Sequence, residues 1–477
     1  MQEVPKQKIL SRIALENPWW DEAAAVPSTF TALRPRPYIN LLYPLVRDRA
    51  VRRAPVLMGP RRVGKTYLIH HCIDRLLRDG VDPKHVCYIS VDVPTYVNLS
   101  LERFLELYAE ATGVSVQNEP TYIFFDEIQY LREWERHLKT LVDTFPLAKF
   151  VASGSAAAAL RLKSRESGAG RLTDFLLPPL TFFEYLDLLG ETDLVEVDTP
   201  SRGLRYSTEE ISALNERFVA YVNFGGYPEV AVSPEIQADP ERFIKRDIID
   251  KVLLRDLPSL YGIADIQELN ALFTSLAFNT AQELALEDLA QKSGVAKPTI
   301  KRYIEYLEAA FLIRVVHRLD ETARRFQRAR NFKVYLTNPS LRTALFGSTE
   351  PSDASFGPLV ETAIFAQWFH DEGQQLHYAR WKNGEVDLVS LKAGQRIDWA
   401  VEVKWSDRAV AKPEVLRPIL DFCSQNGLRQ VTVTTKTINS HQRLANVDVL
   451  FWPAALYAFA AGHSILNSKV WPLREAS

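Results

Sequence analysis

The stretch that decides the fold is APVLMGPRRVGKTYLIHHCIDRLLRDG, residues 54–80. Its opening run, residues 54–58, is apolar as in a buried strand, and residues 65–78 have the periodicity of a helix that stops before Gly80. The residues between them, 59–66, match the pattern GxxxxGK[ST] completely. A glycine-rich loop that opens a helix offers backbone N–H groups and the positive end of the helix dipole to an anion. The stretch therefore predicts a strand, a phosphate-binding loop and a helix within an α/β domain.

The loop residues have distinct expected roles. Lys65 is expected to reach the β- and γ-phosphates of a nucleotide, and the Thr66 hydroxyl is expected to bind Mg²⁺. A plain Gly-Lys turn on the surface is the alternative, which the strand before the loop and the helix after it disfavour. ATP and Mg²⁺ are therefore the predicted cofactors. The loop residues expected to surround the nucleotide are Gly59, Pro60, Arg61, Arg62, Val63, Gly64, Lys65, Thr66 and Tyr67.

An acidic pair follows a second buried-strand pattern in YIFFDEIQYL, residues 122–131. Ligands of open α/β sheets bind at the carboxyl ends of the strands, where this pair is expected to lie. Asp126 is predicted to hold the Mg²⁺ of the nucleotide, and Glu127 is predicted to polarise the attacking water. A solvated acidic strand end is the alternative, but the upstream loop favours the catalytic interpretation.

Two more residues are predicted to contribute to catalysis by the same domain. Ser153, at the end of the strand pattern in KFVASGS, is expected to sense the γ-phosphate, with Ser155 as the substitute. A helix N-cap is the alternative role for this serine. Arg171 is predicted to stabilise the transition-state charge in a neighbouring subunit, and a plain surface arginine is the alternative.

Length and composition limit the class of protein. A chain of 477 residues is expected to form about three domains. Its 57 basic and 59 acidic residues give a net charge of −2, so any contact with nucleic acid must use local basic patches. Three scattered cysteines favour a reducing compartment. The absence of a signal-peptide pattern and of a membrane-length apolar run then predicts a cytoplasmic protein without membrane contact.

Four segments are predicted along the chain. Residues 1–37 are a mixed lead-in, and residues 38–197 alternate between strand and helix patterns, which predicts a parallel sheet covered on both faces. Residues 198–320 are predicted to form a helical linker or lid that ends in a winged helix. Strand patterns return in residues 321–477, which predicts a second α/β domain.

The middle segment contains the pattern of a helix-turn-helix over residues 283–319, with Gly294 at the turn and Pro298 in the first turn of the second helix. In such modules the second helix enters the major groove of DNA. A packing or protein-contact module is the alternative. The residues predicted to face DNA are Lys297, Thr299, Lys301 and Arg302. A further basic cluster, predicted to add to this contact or to be a solvated face, contains Arg324, Arg325, Arg328, Arg330 and Lys333.

A second phosphate-directed site is predicted in GEVDLVSLKAGQRIDWAVEVKW, residues 384–405. Strand alternation places Glu402 and Lys404 on one face, and a short connection to the strand of Asp387 predicts an antiparallel hairpin. Two carboxylates and a backbone carbonyl suit Mg²⁺, and Lys404 is expected to orient or deprotonate a bound water. Glu361, in an upstream helix pattern, is predicted to be a third metal ligand. An ion-paired structural core is the alternative.

Six sequence blocks resemble a group of bacterial and archaeal AAA ATPases whose C-terminal domain has a restriction-endonuclease-like core. The blocks are GPRRVGKT, FFDEIQYL, SGS, GRLTDFLLPPLTFFEYL, GGYPE and VLLRDL. LPPLTFFEYL and GGYPE are more specific to this group than the phosphate-binding loop, and Tyr67 stands where many relatives have a second threonine. The resemblance implies a homo-oligomer, with a hexameric ring favoured and Arg171 acting in trans.

The set Glu361, Asp387, Glu402 and Lys404 resembles the PD-(D/E)XK nuclease superfamily, with Val386 in place of the usual proline. Together the two resemblances imply a Mg²⁺-dependent ATPase that acts on DNA through a nuclease-like C-terminal domain. Two alternatives stay open: an ATPase that remodels branched DNA without cutting it, and a regulatory NTPase whose winged helix binds protein.

Overall fold

The computed structural model describes residues 4–21, 25–154, 170–198, 204–263, 265–322, 331–371, 373–392 and 396–474. The chain divides into two compact units, Met1–Leu177 and Pro178–Ser477, called unit 1 and unit 2. Among the helices that the structure describes, none is both long enough and apolar enough to span a lipid bilayer.

Unit 1 contains a five-stranded sheet in the order β2-β3-β4-β1-β5, in which every neighbouring pair is parallel. Its strands are β1 (Ala54–Met58), β2 (Val86–Ser90), β3 (Thr121–Asp126), β4 (Ala148–Gly154) and β5 (Leu172–Leu176). Its helices are α1 (Lys6–Glu16), α2 (Ser28–Thr31), α3 (Ile39–Arg47), α4 (Lys65–Arg78), α5 (Leu101–Thr112) and α6 (Trp134–Thr144). The predicted parallel sheet is therefore confirmed.

The centre of this sheet is buried on both faces. All residues of β1 and β3 are buried, as expected for parallel strands that helices cover on both sides. Helix α4 ends at Arg78, and Gly80 follows with a positive φ of 82°, a backbone conformation that glycine adopts without strain. The predicted strand, loop and helix therefore form as a continuous unit around β1.

The lead-in segment is part of the core of unit 1. Ile9 and Ile13 of α1 are buried against the sheet domain. The Asn17 amide donates to the Tyr88 carbonyl oxygen at 2.8 Å, and its side-chain oxygen accepts from the Tyr88 N–H at 2.6 Å. Asn17 thus pairs with the outer edge of β2 in the manner of another strand. The sequence predicted a separate lead-in because amphipathic α1 has no strand beside it in the sequence.

Unit 2 contains a nine-stranded mixed sheet in the order β15-β16-β14-β13-β12-β11-β9-β10-β8 and a two-stranded sheet, β6-β7. The strands are β6 (Glu196–Asp198), β7 (Arg205–Ser207), β8 (Glu283–Ala285), β9 (Ile313–Leu319), β10 (Asn331–Leu336), β11 (Gln375–Trp381), β12 (Gly384–Leu391), β13 (Ile397–Glu402), β14 (Gln430–Thr435), β15 (Ser440–Leu444) and β16 (Val447–Pro453).

The helices of unit 2 are α7 (Phe182–Leu189), α8 (Ile211–Phe224), α9 (Pro228–Val232), α10 (Pro234–Ala238), α11 (Leu257–Tyr261), α12 (Ile266–Phe278), α13 (Leu286–Ser293), α14 (Lys297–Ala309), α15 (Ser340–Phe346), α16 (Phe356–Gln367), α17 (Arg408–Ala411), α18 (Arg417–Gln425) and α19 (Ala454–Arg474). Residues Glu241–Asp250 and Val252–Asp256 are π-helical.

One sheet continues across the predicted boundary at residues 320 and 321. Strand β10 pairs antiparallel with both β8 and β9, and β9 pairs parallel with β11. The strands around the helix-turn-helix pattern therefore extend the sheet that carries the predicted hairpin. Periodicity did not predict this continuity, because strand pairing between distant segments leaves no local pattern.

Gln367, at the end of α16, forms hydrogen bonds to residues of both α7 and α8. Its side-chain oxygen accepts from the Phe182 N–H at 2.9 Å, and its amide donates to the Tyr221 hydroxyl at 3.0 Å. The Tyr221 hydroxyl in turn donates to the Leu180 carbonyl oxygen at 2.8 Å. These buried hydrogen bonds fix α16, which carries Glu361, against α7 and α8.

Candidate functional sites

The phosphate-binding loop lies between β1 and α4 and is held in a constrained conformation. Arg62 and Gly64 have positive φ angles of 65° and 92°. A Cβ atom at Gly59 would lie 2.2 Å from the Leu177 carbonyl oxygen, so a side chain cannot be accommodated there. Buried Arg36 donates to the Val63 carbonyl oxygen at 3.0 Å. This contact is not predictable from the loop motif, because Arg36 lies outside it.

Lys65 is buried inside the loop that it follows. Its ammonium donates to the carbonyl oxygens of Gly59 at 3.0 Å and Pro60 at 2.7 Å. Backbone carbonyls carry only partial charges, so an incoming phosphate is a stronger partner for this ammonium. The structure therefore places Lys65 where the sequence predicts a phosphate contact.

The predicted magnesium ligands of unit 1 are in direct contact at the carboxyl ends of neighbouring strands. The Thr66 hydroxyl donates to Asp126 Oδ2 at 2.7 Å. The Ser153 hydroxyl donates to Asp126 Oδ1, and the Tyr88 hydroxyl donates to Oδ2 at 2.9 Å. A hydroxyl and a carboxylate offer the hard oxygen atoms that Mg²⁺ prefers, so these residues fit the predicted ion. Tyr88 was missed, because a tyrosine inside a strand pattern is usually a core residue.

Glu127 follows β3 with a left-handed φ of 53°. Burial raises the pKa of its carboxyl group, while the charge of Lys65 lowers it. Gln129 donates its side-chain amide to the same carboxylate. A raised pKa makes this carboxylate a stronger base than a solvated glutamate, as the predicted role at the attacking water requires.

The remaining predicted residues of unit 1 lie farther from this group. Arg171 precedes β5 at the sheet edge opposite to the loop, since its carbonyl oxygen accepts from the Ala54 N–H at 2.9 Å. It is 44% exposed and forms an ion pair with Asp143. Arg171 therefore cannot reach the loop of its own chain, and its action in trans stays a prediction. Tyr67 is exposed and packs its ring edge to face on Phe30, with ring centroids 5.3 Å apart. Ser155 lies outside the described residues.

In unit 2, β12 and β13 form the predicted antiparallel hairpin. Leu388 pairs with Val401, so Asp387, just before Leu388, and Glu402, just after Val401, lie side by side. The Lys404 ammonium lies 2.7 Å from Glu402 Oε1 and 3.7 Å from Asp387 Oδ2. These distances bring Asp387, Glu402 and Lys404 together as predicted.

Backbone contacts hold this group in place. The Val403 N–H donates to Asp387 Oδ2 at 2.8 Å. The Lys404 N–H donates to the Thr434 hydroxyl at 2.7 Å, and that hydroxyl donates to the Lys404 carbonyl oxygen at 2.8 Å. Glu402 Oε2 is buried and has no hydrogen-bond partner among the described residues. A buried carboxylate oxygen without a partner is costly, and a bound cation would supply the partner that it lacks.

A second lysine lies on the other side of Asp387. The Lys333 ammonium, from β10, lies 2.9 Å from Glu361 Oε1, 2.6 Å from Glu385 Oε1 and 3.7 Å from Asp387 Oδ1. Lys333 is 2% exposed, so it does not belong to an exposed basic cluster as predicted. Its apolar neighbours in the strand pattern NFKVYL were an available signal that this lysine is buried and paired. The other members of that cluster, Arg324, Arg325, Arg328 and Arg330, lie outside the described residues.

Glu361 is occupied by these partners. Its Oε1 accepts from the Tyr335 hydroxyl at 2.6 Å in addition to Lys333. Burial and the charge of Asp387 raise the pKa values of both Glu361 and Glu402. In the part of the chain that the structure describes, no group of three or more histidine, cysteine, aspartate or glutamate side chains has the geometry of a metal site. The predicted three-carboxylate set is therefore not preassembled, because Lys333 and Tyr335 engage Glu361.

The predicted DNA-facing residues lie on α14, and Gly294 at the turn has a positive φ of 71°. Lys297, Lys301 and Arg302 are exposed, while Thr299 is half-buried. Lys297 lies 3.1 Å from Glu287 Oε1, and Lys301 lies 4.0 Å from a glutamate one turn later. The face thus offers exposed basic groups, two of them partly neutralised by nearby acids.

Two family models match separate parts of the chain. Residues 51–186 match a family model described as an AAA domain, and residues 215–352 match a domain of unknown function. An uncharacterized protein of Methanocaldococcus jannaschii is 25% identical over 355 residues, which are 72% of this chain and 74% of that protein. An uncharacterized protein of Haemophilus influenzae is 23% identical over 362 residues, 75% of this chain and 84% of that protein.

The Walker-type ATPase PABY2304 of Pyrococcus abyssi is a similar solved structure, with 17% identity and a TM-score of 0.37. The alignment covers 69% of this chain and 99% of that chain. The family match agrees with the position of the phosphate-binding loop, which follows strand β1 of a parallel five-stranded sheet. The match over residues 51–186 and the phosphate-binding loop of unit 1 thus support an AAA-type ATPase domain in this part of the chain.

Proposed function

We propose that the protein is a Mg²⁺-dependent ATPase that acts on DNA and cleaves it with a nuclease-like site in unit 2. The main support for DNA cleavage is that Asp387, Glu402 and Lys404 lie close together at one antiparallel hairpin. Their residue types, spacing and strand context are those expected of a PD-(D/E)XK nuclease.

In unit 1, five side chains contribute to the proposed ATP hydrolysis. Lys65 binds the β- and γ-phosphates, and Thr66 and Asp126 hold Mg²⁺, which when bound neutralises phosphate charge. Glu127 accepts a hydrogen bond from the attacking water and orients it, a role that its raised pKa favours. Ser153 donates to Asp126 and so fixes the carboxylate that holds the ion.

In unit 2, Asp387 and Glu402 would hold the divalent ion, which when bound would activate a water and stabilise charge on the phosphate. The Val403 N–H and Thr434 keep Asp387 and Lys404 in register. The Lys404 ammonium is placed to orient the attacking water and to stabilise the negative charge that develops on the scissile phosphate.

DNA binding is proposed for α13 and α14 as the helix-turn-helix of a winged helix, with β8, β9 and β10 as its strands. Lys297, Lys301 and Arg302 on α14 are exposed and suit phosphate contacts. Contacts of this kind give affinity that falls with salt and depends little on sequence.

The test of cleavage is Mg²⁺-dependent nicking of supercoiled DNA by the full chain. Wild type is expected to nick, whereas Asp387→Ala and Lys404→Ala are expected to lose the activity. Lys382→Ala, an exposed residue on the turn before β12, is the matched control and should nick like wild type. Equal, negligible nicking by all four proteins contradicts the cleavage proposal.

The ion pairs of unit 2 favour one second candidate, an ATPase that remodels DNA while unit 2 holds it without cutting. Lys333 and Lys404 already neutralise much of the carboxylate charge, as in a structural ion-paired core. The ATPase rate with single-stranded, duplex and branched DNA separates the cases. Stimulation by branched DNA without nicking supports remodelling, and an ATPase rate that no DNA changes contradicts remodelling.

A homo-oligomer, with a hexamer favoured, is proposed to complete the ATP site. Arg171 is exposed and cannot reach its own loop, so it would act on the next subunit. Arg171→Ala and Lys65→Ala should each lack ATPase activity alone, and their mixture should regain part of it. Arg136→Ala, an exposed arginine of α6, is the control. An Arg171→Ala protein with the wild-type rate contradicts the proposal.

A further inference from the structure

Lys333 is a buried cation at the proposed nuclease site that the nuclease motif does not include. Its side chain is 3% exposed and its ammonium contacts Glu361, Glu385 and Asp387. Its ammonium also lies 5.3 Å from the centre of the Tyr378 ring. A lysine in such surroundings stays charged only because carboxylates compensate it. The carboxylates raise the pKa of Lys333 although burial lowers it.

Asp387 separates the cluster into two sides. Its Oδ1 lies 3.7 Å from Lys333, with Glu361 and Glu385 around that ammonium. Its Oδ2 accepts from the Val403 N–H and lies 3.7 Å from Lys404. Two-metal phosphate enzymes place their ions about 4 Å apart around shared ligands. Here an ammonium takes the position on the Glu361 side that a second cation would need.

Two donors contact the same carboxylate oxygen of Glu361. Its Oε1 accepts from Lys333 at 2.9 Å and from Tyr335 at 2.6 Å. A carboxylate oxygen has two lone pairs, so two donors satisfy it. Lys333 and Tyr335 are two positions apart on β10 and therefore point to the same face, toward α16. The arrangement is thus built by the strand and the helix rather than by a mobile loop.

We infer that Lys333 is a positioning residue that holds Glu361 away from the metal and limits the site to one divalent cation, bound by Asp387 and Glu402. The inference rests on the proposed function of this site. Lys333 then supplies the charge that a second ion would otherwise supply, and Asp387 and Glu402 alone bind the divalent ion.

The test measures Mn²⁺ binding to the full chain without nucleotide, and electron paramagnetic resonance detects the bound ion. Every protein carries Asp126→Asn, which removes the metal ligand of unit 1. The protein with Asp126→Asn alone is the reference and is expected to bind one Mn²⁺ in unit 2. Adding Asp387→Asn or Glu402→Gln is expected to abolish this binding. Glu361→Gln is expected to keep the affinity within about twofold, whereas the loss of even a partner that only orients a metal ligand typically costs about 10- to 100-fold. A tenfold weaker Glu361→Gln site overturns the inference.

Removing the ammonium gives the complementary result. Lys333→Met is expected to bind a second Mn²⁺, because Glu361, Glu385 and Asp387 then lack a cation. Lys333→Met combined with Glu361→Gln should return to one ion, and Lys382→Met on the exposed turn should not differ from wild type. A folded Lys333→Met protein that binds one ion overturns the inference, as does a wild-type protein that binds two.

A loss of folding and a loss of metal binding give different results in these variants. If Lys333→Met does not fold, the Glu361→Gln result alone decides, since that variant keeps Lys333 paired with Glu385 and Asp387. If wild type and Asp387→Asn bind no Mn²⁺ in unit 2, the proposed nuclease function loses its metal site. If wild type binds one ion that Glu361→Gln weakens, only the inference about Lys333 fails.

Discussion

The phosphate-binding loop of unit 1 and the carboxylate–lysine cluster of unit 2 both contain buried or partly buried lysines, but the two sites suit ligands of opposite charge. The cluster consists of Lys333, Glu361, Glu385, Asp387, Glu402 and Lys404. Lys65 donates to the backbone carbonyls of its own loop, so an anion can replace weak partners. Lys333 and Lys404 contact full carboxylate charges, and a cation entering that cluster must compete with them. A lysine is therefore the proposed phosphate contact in unit 1, whereas the lysines of unit 2 are counter-ions of carboxylates.

The two sites also differ in how the chain assembles them. The loop is one continuous stretch between a strand and a helix, and its acidic partner lies on a neighbouring strand. The cluster draws on β10, α16, β12 and β13, which are far apart in sequence. If the two sites act separately, a substitution in one site should leave the activity of the other unchanged.

The strongest test of the first site is Glu127→Gln. The amide keeps the shape of the side chain but cannot accept a proton, so ATP hydrolysis should fall about 10³-fold. ATP affinity should stay within about threefold, because Lys65 and the loop still bind the phosphates. Phosphate release and nucleotide binding, measured on the same preparation, check both expectations.

Glu133→Gln is the control for that variant. Glu133 also has a left-handed φ, but it is exposed and pairs with Arg136 at 3.3 Å. Its substitution should leave hydrolysis unchanged. A Glu127→Gln protein that hydrolyses ATP within tenfold of wild type removes Glu127 from the proposed mechanism.

The strongest test of the second site is Asp387→Asn. Loss of the charge next to Glu402 and Lys404 should reduce Mg²⁺-dependent nicking by about 100-fold or more, since the loss of a partner that only orients a metal ligand already costs about 10- to 100-fold in affinity or activity. ATP hydrolysis without DNA should not change, because the metal ligands of unit 1 are intact. Asp398→Asn, which removes a carboxylate of the same hairpin paired with Lys392 at 2.8 Å, should leave both activities near wild type.

The sequence predicted elements that lie within one window and residues that a motif pairs, such as Thr66 and Asp126, and it missed contacts between segments that no motif links. The strand, loop and helix over residues 54–80 form as predicted, because turn residues and periodicity lie within one window. The hairpin of β12 and β13 forms as predicted for the same reason. Lys333 was assigned to an exposed basic cluster because arginines precede it in the sequence. Its burial depends on Glu361 and Glu385, which approach it only in the folded chain.

A smaller effect is expected on the DNA-facing helix. Lys301→Ala with Arg302→Ala removes two exposed charges from α14. The double variant should bind duplex DNA about threefold to tenfold more weakly, and the slope of log affinity against log salt should fall by about 2. Titrations at several salt concentrations measure both quantities. Arg417→Ala, an 86% exposed residue of α18, should leave the slope unchanged. An unchanged slope in the double variant shows that α14 does not contact phosphates.

The smallest expected effect concerns Tyr88, which donates to Asp126 Oδ2 at 2.9 Å beside the Thr66 hydroxyl. Tyr88→Phe removes one hydrogen bond to a charged group, which should lower the free energy of unfolding by about 1.5–3 kcal/mol. Because the lost bond orients a proposed metal ligand, ATP hydrolysis should fall several-fold with a higher requirement for Mg²⁺. Chemical denaturation and a Mg²⁺ titration of the ATPase rate measure the two effects.

Tyr96→Phe separates stability from catalysis in that comparison. Tyr96 is also a buried tyrosine of unit 1 that donates to a carboxylate, Glu16 Oε2 at 3.0 Å, but its partner is not a proposed ligand. Its loss should lower stability by a similar amount and leave the Mg²⁺ requirement unchanged. If both variants change only stability, Tyr88 supports the fold alone, and Asp126 is then held well enough by Thr66 and Ser153.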